Sequence, residues 1–453
     1  MYTYLLLLTV IIYLIATLSY FKGDYLHPCA IVMEVFLVSI SFMITEIKIW
    51  DAYISGSTYL IIALGLFVYM VIAFWNKTSP EIRIHKRKIN KFENTLIQHE
   101  ILPFDISSIV CVVLSVFSVA VVFITYREIR SISSLIGIFS SLGEMVGNYR
   151  NAGVSGRLER GISVWARYGM LTVTAIAYIF LYIIVNNAVL KQKKKFRWYF
   201  FRAIPIFAHI MCSIITGSRN PILQIIIAAI MLAYIMHNLY FKKERKFRLK
   251  NAVRIAVVGC VVLFGFSAMR GIVGRESDLG AWDYIAKYVG APIKLFDMFI
   301  ENSYEHQNKI WGQETFVNVW TYIGQKTGNT NLSSLLMNKE YRSINGFSLG
   351  NVYTAFREYY SDFKIWGVVI LTAIHSLVYC SWYKKLTNGK RELKTSRLDT
   401  SLLLFSYFAQ SLFYFSIDDR LYQAYLSINT LRTIVIMLIL IYILPKIRIK
   451  ANR

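Results

Sequence analysis

Charge is scarce in this sequence. Asp, Glu, Lys and Arg make up only 17% of its 453 residues, where a soluble domain carries about 25%. Apolar residues fill 56% of the chain, and the mean hydropathy is +0.47. That balance excludes a string of soluble domains, a disordered chain and a fibrous one. Cysteine is sparse too. Cys29, Cys111, Cys212, Cys260 and Cys380 each lie in or beside an apolar run, and none belongs to a Cys-x-x-Cys pair. They read as small buried hydrophobes, with no disulfide framework and no zinc site. P-loop, Gly-x-Gly-x-x-Gly, His-Glu-x-x-His and Gly-x-Ser-x-Gly motifs are all missing, so nucleotide-driven and hydrolase chemistry are not signalled. The amino-terminal run MYTYLLLLTVIIYLIATLSYF lacks a basic leader and a small-x-small cleavage site. It is expected to remain as a first helix.

What the sequence does have is apolar runs of bilayer-spanning length, about 20 residues. They fall near 2–21, 29–47, 57–75, 107–126, 161–190, 198–217, 221–240, 252–270, 364–383, 399–416 and 426–444. Helix is forced at that depth, because each spanning segment must satisfy its own backbone hydrogen bonds. A membrane barrel would instead show short alternating segments. The expectation is an all-α polytopic membrane protein with about eleven spanning helices, between ten and twelve, forming one integral membrane domain over 1–453.

The net charge of +24 would suit a nucleic-acid binder, but its placement argues otherwise. The short basic stretches 76–92, 191–197, 242–250, 384–397 and 445–453 all fall on one side when eleven helices are threaded alternately. By the positive-inside rule that side is cytoplasmic, the amino terminus is periplasmic and the carboxy terminus is cytoplasmic. The charge is then a topology signal beside anionic lipid, and no nucleic acid is expected. Two long segments remain outside, 127–160 and 271–363. Within the second, 281–300 has apolar residues at helical spacing and reads as an amphipathic helix on the membrane surface, bent at Pro292.

Sorted by side, the 50 basic residues divide into 19 Lys and 11 Arg inside, and 7 Lys and 13 Arg outside. Positive-inside selection does not distinguish Lys from Arg. The outward bias towards Arg therefore needs another cause, and the guanidinium's fork of donors suits phosphate and carboxylate. An anionic amphiphile, such as a lipid with a phosphate or pyrophosphate head, fits arginines above an apolar bundle. Pairing with outward carboxylates is the alternative for any single arginine.

Four places stand out. Thr216-Gly217-Ser218-Arg219-Asn220-Pro221 is a tight turn before a helix N-terminus, an anion site by geometry. Arg270 and Arg275 flank Gly271 and Gly274, where backbone can approach a ligand closely. In 351–362, Arg357 shares a helical face with Tyr353 and Tyr360, beside Glu358 and Asp362, which suits a glycan-facing surface or an aromatic belt. Asp418-Asp419-Arg420 reads as a salt bridge rather than a metal site. Loop 127–160 adds Arg150, Arg157 and Arg160 among glycines, the pattern of a capture arm or of a solvated loop. His306 is the one histidine in a long outer loop, and so the histidine best placed to act as a base. His209 and His375 lie in spanning runs and read as packed. Glu34, within the second helix, carries charge at an expensive depth and needs a partner or a cavity.

The segments TGSRNPIL (216–223), MRGIVGRE (269–276) and NVYTAFREYYSDFKIWGVVI (351–370) together resemble oligosaccharide repeat-unit polymerases, the Wzy-type O-antigen polymerases. Members carry a Gly-Ser-Arg-Gly turn, where this chain has Asn220 in the last place. They also carry a Tyr-x-Asp-Phe-Gly segment, where this chain has Lys364 in place of Gly. An Arg-x10-Gly pattern of the family is matched once, by Arg150 and Gly161. The resemblance implies a lipid-dependent glycosyltransferase bundle related to the O-antigen ligases, at the outer face of a bacterial inner membrane. It would move a growing glycan from undecaprenyl pyrophosphate onto a lipid-linked repeat unit, with no metal and no cofactor. Its partners would be undecaprenyl-pyrophosphate-linked glycans and membrane lipids, with a chain-length regulator and a flippase as candidate protein partners. On this reading Arg219, Arg270 and Arg275 neutralise the leaving pyrophosphate, helped by Arg357 or Arg420. Arg150 and Arg157 belong to the capture loop, and Tyr353 and Tyr360 face glycan. Glu358, Asp362 and His306 are the candidate bases.

The nearest rival is an O-antigen ligase, which His306 keeps open. A repeat-unit flippase would place its charges in a cavity among the helices and have only short outer loops. A glycosyltransferase using a monophosphate lipid would carry acidic residues in a large first outer loop, whereas 48–55 is short and has only Asp51. A purely structural scaffold leaves the outward arginine bias unexplained.

Overall fold

The computed structural model describes residues 1–78, 104–154, 161–241, 279–302, 310–335, 339–388 and 397–446, with positions 264, 265, 267, 268, 270, 271 and 393 besides. Helices dominate: α1 (Tyr2–Tyr20), α2 (Pro28–Thr45), the short α3 (Ile47–Trp50), α4 (Gly56–Thr78), α5 (Ser108–Ile136), α6 (Leu142–Val154), α7 (Val164–Val189), α8 (Phe196–Ile215) and α9 (Asn220–Phe241). Then come α10 (Ala281–Val289), α11 (Ala291–Glu301), α12 (Val317–Thr327) and α13 (Thr330–Ser333). A hairpin of β1 (Arg342–Ile344) and β2 (Phe347–Gly350) pairs antiparallel, with Ser343 opposite Ser348. The chain closes with α14 (Phe356–Thr387), α15 (Thr400–Phe408), α16 (Gln410–Tyr414), a π-helical turn (Arg420–Tyr425) and α17 (Ile428–Ile443).

Among the described residues, 9 helices are long and apolar enough to cross a membrane: α1, α2, α4, α5, α7, α8, α9, α14 and α17 with its 3-10 extension to Lys446. This is an all-α, multi-pass membrane protein. The predicted span 252–270 lies mostly outside the described residues. The predicted span 399–416 is split at Ala409 into α15 and α16, each shorter than a bilayer. Local chemistry sets several helix starts. His27 accepts the Cys29 amide before Pro28 opens α2, and Ser163, Asp399 and Ser427 cap α7, α15 and α17.

The helices share two ends. At one, Thr3 Oγ1 donates to the Ala52 carbonyl (3.1 Å), Lys294 Nζ to the Tyr53 carbonyl (2.8 Å), and the Ala355 amide to the Phe415 carbonyl (3.1 Å). This is the loop end. At the opposite end, buried Asp24 accepts the hydroxyls of Tyr234 (2.6 Å) and Tyr383 (2.9 Å). Arg202, also buried, clamps Asp105 there. Between them lies a large apolar core, where Phe36, Tyr69, Phe356, His375 and Phe415 meet, with two smaller clusters about α5 and α8.

Two outer segments differ from the sequence reading. In 127–160 the described part is helical apart from 137–141: α5 runs on to Ile136, and α6 docks through buried Met145 and Val146, with Ser133 Oγ donating to the Met145 carbonyl (2.8 Å). Segment 281–300 forms two helices broken at Gly290, not at Pro292. A Cβ on Gly290 would stand 2.7 Å from the Met43 amide of α2, so only glycine lets the helices approach there. Pro292 sits in the first turn of α11, where its missing N–H is harmless. α11 is buried on nearly every side, and Lys294 and Asp297 within it pair at 3.0 Å.

Candidate functional site

Two polar clusters stand at the loop end. The first grows from the turn between α8 and α9. Gly217 has φ of +81°, a left-handed conformation that glycine adopts without strain. Arg150 of α6 packs against it, with its Cβ 3.1 Å from where a Gly217 Cβ would stand. The turn delivers Arg219 to the start of α9, where it is 2% exposed. One guanidinium nitrogen donates to Tyr284 Oη (2.7 Å), and the group lies 5.5 Å and 5.7 Å from the ring centres of Tyr284 and Tyr288. Arg270 reaches the same Tyr284 ring, also at 5.5 Å, and donates to the Leu279 carbonyl (2.6 Å). Two guanidiniums thus converge on one aromatic ring beside a helix N-terminus, where positive potential adds to theirs. Burial, helped by the Tyr288 hydroxyl, pushes the Tyr284 phenol up against the pull of Arg219.

The second cluster surrounds the first turn of α14. Arg357, 1% exposed, donates to Glu314 and, at 2.6 Å, to Glu340. Its guanidinium lies 4.5 Å from the Phe299 ring centre and 5.3 Å from that of buried Tyr353, whose hydroxyl donates to the Glu340 carbonyl (3.0 Å). Glu358, fully buried, pairs with Lys339, which also reaches Asp418 at 3.3 Å. Asp418 pairs with Arg420 (3.0 Å), and Arg342 with Glu340 (3.3 Å). Burial alone would lower Lys339, but the Glu358 and Asp418 carboxylates hold it above the ordinary lysine range. Burial, then the Glu358 charge, raises Asp419 well above the ordinary carboxylate range. Asp419 also accepts the Tyr422 amide (3.2 Å) at the start of the π-helical turn.

The sequence candidates therefore divide. Arg219, Arg270 and Arg150 gather at the first cluster. Arg357 and Arg420, expected beside them, are instead held by carboxylates in the second, and Tyr353 lies beneath Arg357. The clusters adjoin at Tyr414: Arg420 lies 4.9 Å from its ring centre, and Arg219 acts on its hydroxyl electrostatically. Asp362 accepts the amides of Glu314 (3.1 Å) and Thr315 (2.7 Å), so it fastens the loop before α12 rather than standing ready as a base. Tyr360 is half-buried under Lys364, 5.4 Å from its ring centre. The expected Asp418–Arg420 salt bridge is present. His209 and His375 are packed, bonded to Thr174 (3.1 Å) and Ser411 (2.8 Å). Glu34 is half-buried, with Asp24 acting on it electrostatically. Cys29, Cys111, Cys212 and Cys380 are buried free thiols. Arg157, Arg160, Arg275, His306 and Cys260 lie outside the described residues.

Sequence reasoning missed Lys339, Glu314, Glu340 and the part played by Tyr284. Tyr284 sat in a segment read only for its apolar stripe. The others carry little local signal: Glu340 has a near neighbour in Arg342, but the pairs with Arg357 and Glu358 join positions 17 to 43 apart. Compared with known proteins, this chain matches no family model, no curated protein and no solved structure.

Proposed function

We propose that this protein is a metal-independent glycosyltransferase that polymerises undecaprenyl-pyrophosphate-linked repeat units at the outer face of a bacterial inner membrane. The observation that carries this reading is the convergence of Arg219 and Arg270 on Tyr284 at the N-terminus of α9. An anionic head group suits that place, and a lipid tail suits the apolar bundle below it. The loop end then faces outward, with the amino terminus, and the basic segments face the cytoplasm.

In the reaction, the acceptor hydroxyl oxygen forms a bond to the donor's anomeric carbon. The bond from that carbon to the pyrophosphate oxygen breaks, and the pyrophosphate leaves with the electron pair. Guanidiniums already aimed at it stabilise the developing charge. The hydroxyl proton passes to a carboxylate, and Glu358 is our assignment among the described candidates, because its Lys339 pair leaves Oε2 over whereas both oxygens of Asp362 accept backbone amides.

The test is to delete the gene, profile the surface glycan on a gel and analyse the lipid-linked pool by mass spectrometry. Single repeats at the surface, restored to a ladder by the wild-type gene but not by Arg219→Ala or Arg270→Ala at equal protein level, are expected. Polymer left on the lipid carrier would mean a ligase, and repeats trapped on the cytoplasmic face a flippase. Unchanged chains in both arginine variants would refute the pyrophosphate role.

A further inference from the structure

Buried polar atoms in folded proteins nearly always find a hydrogen-bond partner. The second cluster departs from that rule at several residues. Donor atoms Nε of Arg342, Arg357 and Arg420 have no partner, nor do acceptor Oε2 of Glu358 and the Thr354 hydroxyl, whereas Asp419 has the Tyr359 hydroxyl beside it. Arg357, Glu358, Asp419 and Thr354 are each at most 1% exposed. Unsatisfied donors and acceptors thus stand on residues that the ion pairs of this one cluster join, with Thr354 three positions before Arg357.

Charge decides what chemistry fits. Every cation here already faces a carboxylate: Arg357 faces Glu314 and Glu340, Lys339 faces Glu358 and Asp418, Arg420 faces Asp418, and Arg342 faces Glu340. Asp419 adds a further acid. A pyrophosphate entering would meet carboxylates whose cations are spoken for. A polyhydroxylated ring offers what the cluster lacks, hydroxyls that donate to one orphan and accept from the next. A stacking face is close by. Trp311 is 71% exposed, with its ring centre 5.6 Å from that of Phe316 and 5.0 Å from that of Phe363. Its loop carries Glu314, and Asp362 pins that loop.

We propose that the second cluster is a sugar-binding subsite for the acceptor, separate from the anion site at Arg219 and Arg270, with Trp311 as its stacking platform. This rests on the polymerase reading above. It gives Arg357 and Arg420 a role in shaping the subsite rather than in gripping pyrophosphate, and it makes Thr354 and Trp311 specificity-determining residues.

The test uses the full chain in detergent. The probe is the repeat-unit oligosaccharide, released from the deletion strain's lipid pool by mild acid, observed by saturation-transfer NMR. Wild type is expected to bind it, and excess farnesyl pyrophosphate is expected to leave that signal in place. Thr354→Val, which removes one hydroxyl at nearly constant volume, and Trp311→Ala, which changes an exposed residue, should each weaken binding about tenfold. Both should leave farnesyl pyrophosphate binding within about twofold. Displacement of the oligosaccharide by farnesyl pyrophosphate, absence of binding in wild type, or unchanged binding in both variants would overturn the proposal. The orphaned atoms would then be served by internal water. Oligosaccharide binding in a protein whose gene deletion leaves the glycan ladder intact would instead refute the polymerase reading alone.

Discussion

Lys364 interrupts α14 with φ of 55° and ψ of −143°. That backbone is close to a region essentially reserved for glycine, and a side chain held there costs about 1–3 kcal/mol. The motif on which the family resemblance rests has glycine at this place. Lys364→Gly removes the strain. It gives up the contact of Nζ with the Tyr360 ring at 5.4 Å, worth about 0.5–1 kcal/mol. It also adds unfolded-state freedom worth about 0.5–1 kcal/mol. The net runs from a loss of about 1 kcal/mol to a gain of about 2 kcal/mol. Lys364→Ala keeps the strain and loses the ring contact, so it should fall below wild type by about 0.5–1 kcal/mol. The ring contact cancels between the two variants, so the glycine variant should exceed the alanine variant by about 1 kcal/mol at the middle of these ranges, and by up to about 2.5 kcal/mol. Thermal unfolding of the three proteins in one detergent gives the order. A midpoint for Lys364→Ala equal to or above that of Lys364→Gly would refute the strain argument.

Arg357→Ala leaves Glu314 and Glu340 facing each other without their shared cation, and should cost about 3–5 kcal/mol; adding Glu340→Gln should recover part of the lost thermal midpoint. Gly217→Ala places a Cβ at φ of +81° and against Arg150, and should cost about 1–2 kcal/mol of stability, read the same way. Asp362→Ala should cut polymer yield more than Asp362→Asn, because the amide oxygen can still accept a backbone N–H; equal losses in a glycan gel would show that the charge itself acts. Asp419 is raised in the folded protein by burial and by Glu358. Its contribution is present below its unfolded value and is lost as pH rises through the folded one. Thermal midpoints from mildly acidic to mildly alkaline pH should therefore fall less for Asp419→Asn than for wild type. Lys339, also raised, keeps its contribution throughout that range.

The spanning helices were legible because a bilayer permits so few alternatives to a long apolar run. α15 and α16 were read as one span because the break at Ala409 carries neither proline nor glycine. α6 was read as loop because its glycines and polar residues conceal a short face, Met145 and Val146, that needs only α5 and α8 to bury it. The arginines were found by counting, but their partners were not. Arg357 pairs with Glu314 across 43 positions and with Glu340 across 17. No local pattern encodes such a pairing, because it arises only when the loop folds back over α14. Asp362 shows the same limit: beside Glu358 it reads as a reactive acid, and only the folded loop supplies the amides that occupy it.

The bond between Asp362 and that loop has a mechanical consequence. Lys364, two positions further on, is where α14 departs from helical geometry, so the turn before it is joined to the long helix by a single irregular residue. Asp362 rides on that turn and holds the Glu314 and Thr315 amides. The loop that carries Trp311 is therefore positioned through Asp362 by the turn before Lys364, and that turn is itself held by the ion pairs of Arg357 and Glu358.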